Sequence, residues 1–234
     1  MTNFPNIVDL AWSLYTNKIA NKLLVPDNEK MMQLHLAQIL QTLAPLFESR
    51  SSESYKVLLE VPVSVGGKRK IIDVVVEHVC EGKTERTAIE LKCLRLYGRE
   101  GNGKRGAQNL GMYDYWEDIE NIESYCTLPE FELSYQFTLT DDPYYVETQH
   151  SGSQVATYST CKTRENVNGV LEHAIANRLG KIILRKKYSM SGWHKKNEDS
   201  EFYFIQQIAT AQPVVAPDCY SGLRPPLQAG EPNC

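Results

Sequence analysis

The sequence predicts a mixed α/β fold, with a central mixed sheet of about four to six strands flanked by helices. Three observations carry that expectation. Apolar residues recur at helical spacing up to Phe47, short β-branched runs replace them from Tyr55 onward, and a helical pattern returns after the third of these runs.

The first predicted helix covers residues 5 to 24, where Ile7, Leu10, Ala11, Leu14 and Ile19 make one apolar face. Pro26 and Asp27 break it. A second helix from Glu29 to Phe47 aligns Met32, Leu36, Ile39, Leu40 and Leu43, and both helices should pack on the sheet. Three strands are expected in YKVLLEVPVSV, KRKIIDVVVEHV and RTAIELKCLRLY. Gly66 and Gly67 suit the positive φ angles of a two-residue hairpin turn between the first two, whereas CEGKTE reads as a longer polar turn. A third helix in AQNLGMYDYWEDIENIESY places Leu110, Tyr113, Trp116 and Ile119 on successive turns. The run FELSYQFTLT alternates with a period of two and predicts a fourth strand. A helix is expected over 165–179, followed by strands in KIILRKKYSM and EFYFIQQIA.

The 234 residues, 42% of them hydrophobic, suffice for one substantial core. We therefore expect one domain over 1–210 and a proline-rich tail over 211–234. No stretch approaches the roughly 18 apolar residues of a membrane span, and the opening MTNFPNIVDL lacks the basic-then-apolar pattern of a leader. A cytoplasmic protein follows as the expectation, and with it free thiols at Cys80, Cys93, Cys126, Cys161, Cys219 and Cys234. No C-x-x-C pair occurs and no cysteine lies three to five residues from a histidine, so the spacing offers no structural zinc site. The net charge of −4 excludes a protein that coats nucleic acid indiscriminately, yet leaves room for local basic clusters at 68–70, at Arg99, Lys104 and Arg105, and at 185–187.

Chemistry concentrates in the two strands after the glycine turn. Along a strand, residues two apart share a face, so Glu90 and Lys92 point the same way as Ala88. Asp73 interrupts the aliphatic run 71–76. Counting back from a two-residue turn pairs 65 with 68 and sets Glu60 opposite Asp73. Two opposed carboxylates are destabilising unless one is protonated or a cation bridges them, which points to a divalent ion. Ligands that are all oxygen favour Mg²⁺ or Mn²⁺. An ordinary alternative is a surface salt bridge between Glu90 and Lys92 on an edge strand, with Asp73 capped by a loop.

The order helix, hairpin with an aspartate in its second strand, strand bearing Glu-x-Lys, helix resembles the PD-(D/E)XK, or restriction-endonuclease-like, nucleases over residues 29 to 140. The motif reads IID, sixteen residues, ELK. Ile72 stands where the motif name has proline. The resemblance implies a nuclease acting on nucleic acid, with DNA the expected substrate. Asp73, Glu90 and the main-chain carbonyl of Leu91 would hold Mg²⁺ or Mn²⁺, and the ion would polarise the scissile phosphate. Lys92 would orient water or stabilise developing charge. Glu60 would be a third acid; Glu29, from the first core helix, is its alternative. Arg99, Lys104, Arg105 and Gln108 would contact the nucleic-acid backbone. A homodimer is compatible with this reading.

Two rivals remain. One is a non-catalytic nucleic-acid-binding module on the same fold. The other is a nucleotide-binding loop in GREGNGKR, which is one residue short of G-x-x-x-x-G-K-[ST]: Arg105 cannot supply the metal-binding hydroxyl, and Glu100 would repel phosphates. His78, at the end of its strand, reads as either a polar turn residue or a group near the metal.

Overall fold

Asn6 opens the first helix by accepting the Val8 amide at 2.9 Å, and Asp9 adds a negative charge in the first turn of α1 (Ile7–Ala20). Asn28 does the same for Met31 at 2.9 Å, starting α2 (Glu29–Phe47). The computed structural model describes residues 6–97, 108–175, 178 and 180–211.

Three antiparallel strands follow: β1 (Glu53–Val65), β2 (Lys68–Cys80) and β3 (Lys83–Leu94). Gly66 and Gly67 both take positive φ, 57° and 77°, as a two-residue turn between right-twisted strands requires. The second turn is equally tight. Cys80 pairs with Lys83, and only Glu81 (φ 52°) and Gly82 (φ 80°) lie between them, so the longer loop expected from CEGKTE does not form. Helix α3 (Gln108–Tyr125) crosses back to β4 (Phe131–Thr140), which pairs parallel with β3, and β7 (Tyr203–Thr210) closes the sheet antiparallel to β4. The five strands run in the order β1-β2-β3-β4-β7. This is the expected mixed sheet flanked by helices.

Each face has its own core. Helices α1 and α2 cover one side, where Trp12 stacks on Phe137 with centroids 4.4 Å apart, above Ile89, Leu91 and Val74. Helix α3 covers the other with Met112, Trp116 and Ile119, joined by α4 (Pro143–Val146), α5 (Ser153–Tyr158) and a two-stranded sheet of β5 (Val167–Glu172) and β6 (Lys181–Tyr188). The helix expected over 165–179 is thus replaced by β5. Asn166 (φ 55°) and Gly169 (φ 78°) are left-handed, which interrupts a helix, while Val167, Val170 and Leu171 pair with β6. The amides of Ile183, Arg185 and Lys186 on β6 are taken up by the carboxylates of Glu120 and Glu123 on α3, at 2.8 to 2.9 Å. That arrangement satisfies an edge that no further strand among the described residues covers.

No disulfide joins the described cysteines. Among the described residues, no helix is long and apolar enough to cross a membrane. The expected tail lies almost wholly outside the described residues.

Candidate active site

The hairpin of β1 and β2 contains one matched irregularity. Leu59 pairs with Val74 and Val61 with Ile72, which leaves Glu60 and Asp73 opposite one another but out of the ladder. Glu60 takes the left-handed φ of 54°, a conformation that costs a non-glycine residue roughly 1 kcal/mol. The alternation of side chains breaks at this point. Val74 and Val76 face α1 and α2, whereas Ile72 joins Val75, Ala88, Tyr125 and Phe131 on the α3 side.

Strand β2 also leaves β3 here. Their pairing begins at Val74 with Ile89 and runs only toward the Glu81–Gly82 turn. Beyond this fork the Leu91 amide pairs with no main-chain carbonyl of β2 in the ladder, and the Asp73 carboxylate accepts it instead at 2.9 Å. A buried amide left alone would cost about 1 to 3 kcal/mol, so the bond accounts for a charged residue in an aliphatic strand.

Glu90 and Lys92 project from β3 toward α3. Glu90 is 5% exposed and accepts the Tyr125 hydroxyl. Its carboxyl is held well above the usual carboxylate range, first by burial and then by the charges of Asp118 and Asp73. Asp73 is raised for the same first reason, opposed by the Leu91 amide, and its charge is among those that raise Glu90. A buried and a half-buried acid that raise one another favour a proton or a cation between them. Lys92 sits 2.9 Å from Asp118 and 3.4 Å from Glu29. Burial opposes its charge, but Asp118 and then Glu29 outweigh it, so the ammonium is held charged.

The expected residues therefore separate into two groups. Asp73, Glu90 and Lys92 come together, and Glu29 joins them through the lysine. Glu60 lies just outside: it pairs with Lys30 and accepts Gln33 Nε2 at 2.7 Å, while the same amide reaches the Asp73 carbonyl at 2.7 Å. The Lys30 bond, followed by that from Gln33, holds the Glu60 carboxyl below its usual range. Thus the opposed-acid register occurs as expected, but the cation on Glu60 is a lysine. Arg99, Lys104 and Arg105 lie outside the described residues. Gln108 opens α3 with its amide 3.4 Å from Asp142.

Sequence reasoning missed Asp118 and Tyr125. Both lie on the face of α3 turned to the sheet, with Asp114 and Asn121 in the same stripe at spacings of four, three and four. A polar stripe on a helix already reading as buried was the signal that could have found them. Compared with known proteins, the chain matches no family model, no curated protein and no solved structure.

Proposed function

We propose that this protein is a metal-dependent nuclease that hydrolyses phosphodiester bonds, with DNA as its substrate. The observation that carries the proposal is the buried Glu90 and the half-buried Asp73 at the β2–β3 fork, with a charged lysine two residues beyond Glu90 on the same strand. The donor set fits a hard divalent cation, Mg²⁺ or Mn²⁺, because it offers carboxylate oxygens and the Leu91 carbonyl and no sulfur or imidazole. Such an ion would supply Lewis-acid polarisation of the phosphate and a lowered pKa for attacking water.

The chain's own residues do the remaining work. Asp73 is fixed by the Leu91 amide, so its second oxygen is aimed without cost at the moment of binding. Tyr125 orients Glu90 in the same way. An ammonium has three donors; Asp118 and Glu29 hold this one in place as ion pairs, and a donor would face a phosphate oxygen as negative charge builds there. Burial of Glu90 and Asp118 keeps bulk water from that side of the group and strengthens their interactions.

A second reading has one observation in its favour. Lys92 is ion-paired with Asp118 and Glu90 accepts the Tyr125 hydroxyl, as structural pairs in a nucleic-acid-binding module would. Asp73→Asn and Lys92→Ala separate the two. A nuclease should lose cleavage of plasmid and single-stranded DNA in both, by on the order of 100-fold or more, with Mn²⁺ affinity by calorimetry lost mainly in Asp73→Asn. Cleavage by Lys92→Ala at the unmodified rate would remove the active-site assignment.

A further inference from the structure

The far end of the same hairpin carries a different donor set. Glu53 lies opposite Cys80, and Tyr55 lies opposite His78, so Glu53, His78 and Cys80 occupy three corners of one cross-strand square. One ligand atom from each falls within 4.8 Å of the other two. Sequence spacing did not suggest this, because the residues converge across strands and His78 and Cys80 are only two apart, which on a strand means the same face.

The square is built rather than incidental. The Ser49 amide donates to Glu53 Oε2 at 2.8 Å, which leaves Oε1 turned to His78 Nε2 at 2.8 Å. The Tyr55 ring stacks on the imidazole, with centroids 4.4 Å apart and planes 13° from parallel, fixing its rotation. All three ligands are partly buried, with the Glu53 and His78 side chains 12% and 27% exposed, so a fourth position stays open to solvent. Around tetrahedral zinc, sulfur and nitrogen at about 2.3 and 2.0 Å lie roughly 3.5 Å apart, a modest contraction from the present spacing.

We propose that Glu53, His78 and Cys80 form a binding site for a zinc-class transition metal, separate from the Asp73–Glu90 pair. Thiolate and imidazole donors select a borderline-soft ion over Mg²⁺. His78 lies five positions along β2 from Asp73, or roughly 17 Å, so the two sites do not share an ion. Binding displaces the proton between His78 Nε2 and Glu53 and the thiol proton of Cys80. It therefore releases protons and weakens on acidification. The metal would tie the 48–53 link, which leads out of α2, to the last residues of β2.

Metal-free protein titrated with Co²⁺ tests this. One equivalent should develop a near-ultraviolet thiolate-to-cobalt charge-transfer band, displaced by Zn²⁺ but not by Mg²⁺. Cys80→Ser should abolish the band. His78→Ala and Glu53→Gln should each weaken binding by at least about tenfold. Asp73→Asn should leave all of this unchanged. Zn²⁺ should also protect Cys80, located by mass spectrometry, from alkylation in the unmodified protein, a measurement that does not depend on any variant folding. No charge-transfer band in the unmodified protein, a band that survives in folded Cys80→Ser, or Cys80 alkylated equally fast with Zn²⁺ would each overturn the site.

Discussion

At the scale of single residues, the acids beside Lys92 make the site sensitive to protons. Glu90 and Asp73 have folded-state values raised above their ordinary 4.5 and 3.8, so the folded chain holds more protons than the unfolded one in the window above those values. Stability from the protonated forms is full below about 4 and is lost as pH rises through the folded values. Glu90→Gln, neutral throughout, removes its share of that loss. Without metal, the variant's advantage in melting temperature over the unmodified protein should therefore grow as pH rises above about 4.5; parallel curves in calorimetry would show that Glu90 is not shifted. Asp118 acts through another residue. As the largest charge holding Lys92 protonated, it is a positioning residue. Asp118→Asn should slow cleavage by about tenfold and move the alkaline limb of the pH–rate profile downward, since the lysine then loses its proton more easily. A slower enzyme with an unmoved alkaline limb would mean that Asp118 serves packing alone.

At the scale of elements, the hairpin was legible and its kink was not. Two glycines fix the turn, and from that turn the register runs unbroken through Val61 and Ile72 to Glu53 and Cys80, so placing Glu60 opposite Asp73 required only counting. Nothing local signals that both residues leave the ladder there, because the break follows from β2 parting from β3. Likewise, Val167–Glu172 reads as a helix in isolation and becomes a strand because β6 lies beside it. Asp118 and Tyr125 were hidden for a related reason: their value depends on which face of α3 meets Glu90 and Lys92. The kink gives a clean test of the third acid. Glu60→Gly keeps a left-handed backbone and removes the carboxylate, so cleavage should stay within about threefold of the unmodified rate if Glu60 serves geometry and Lys30. A drop approaching that of Asp73→Asn would make Glu60 a metal ligand after all.

At the scale of the whole molecule, a net charge of −4 must be reconciled with the DNA substrate proposed above. Local cations would have to do so. Lys68 and Arg69 are exposed at the tip of the first hairpin, and Lys181, Arg185 and Lys187 are exposed on β6. Arg99, Lys104 and Arg105 follow β3 in sequence. Replacing these last three by alanine should weaken DNA binding and reduce the slope of log affinity against log salt by about 0.9 for each phosphate no longer neutralised. Unchanged affinity and slope would move the interface to the hairpin tip or to β6.

The fork where β2 leaves β3 has one more consequence. Because the Leu91 N–H is bonded to the Asp73 carboxylate itself, its proton records the electron density on that oxygen. A cation or a proton arriving at Asp73 must shift this one amide resonance before anything is cleaved, so the backbone carries a gauge that reads occupancy separately from turnover.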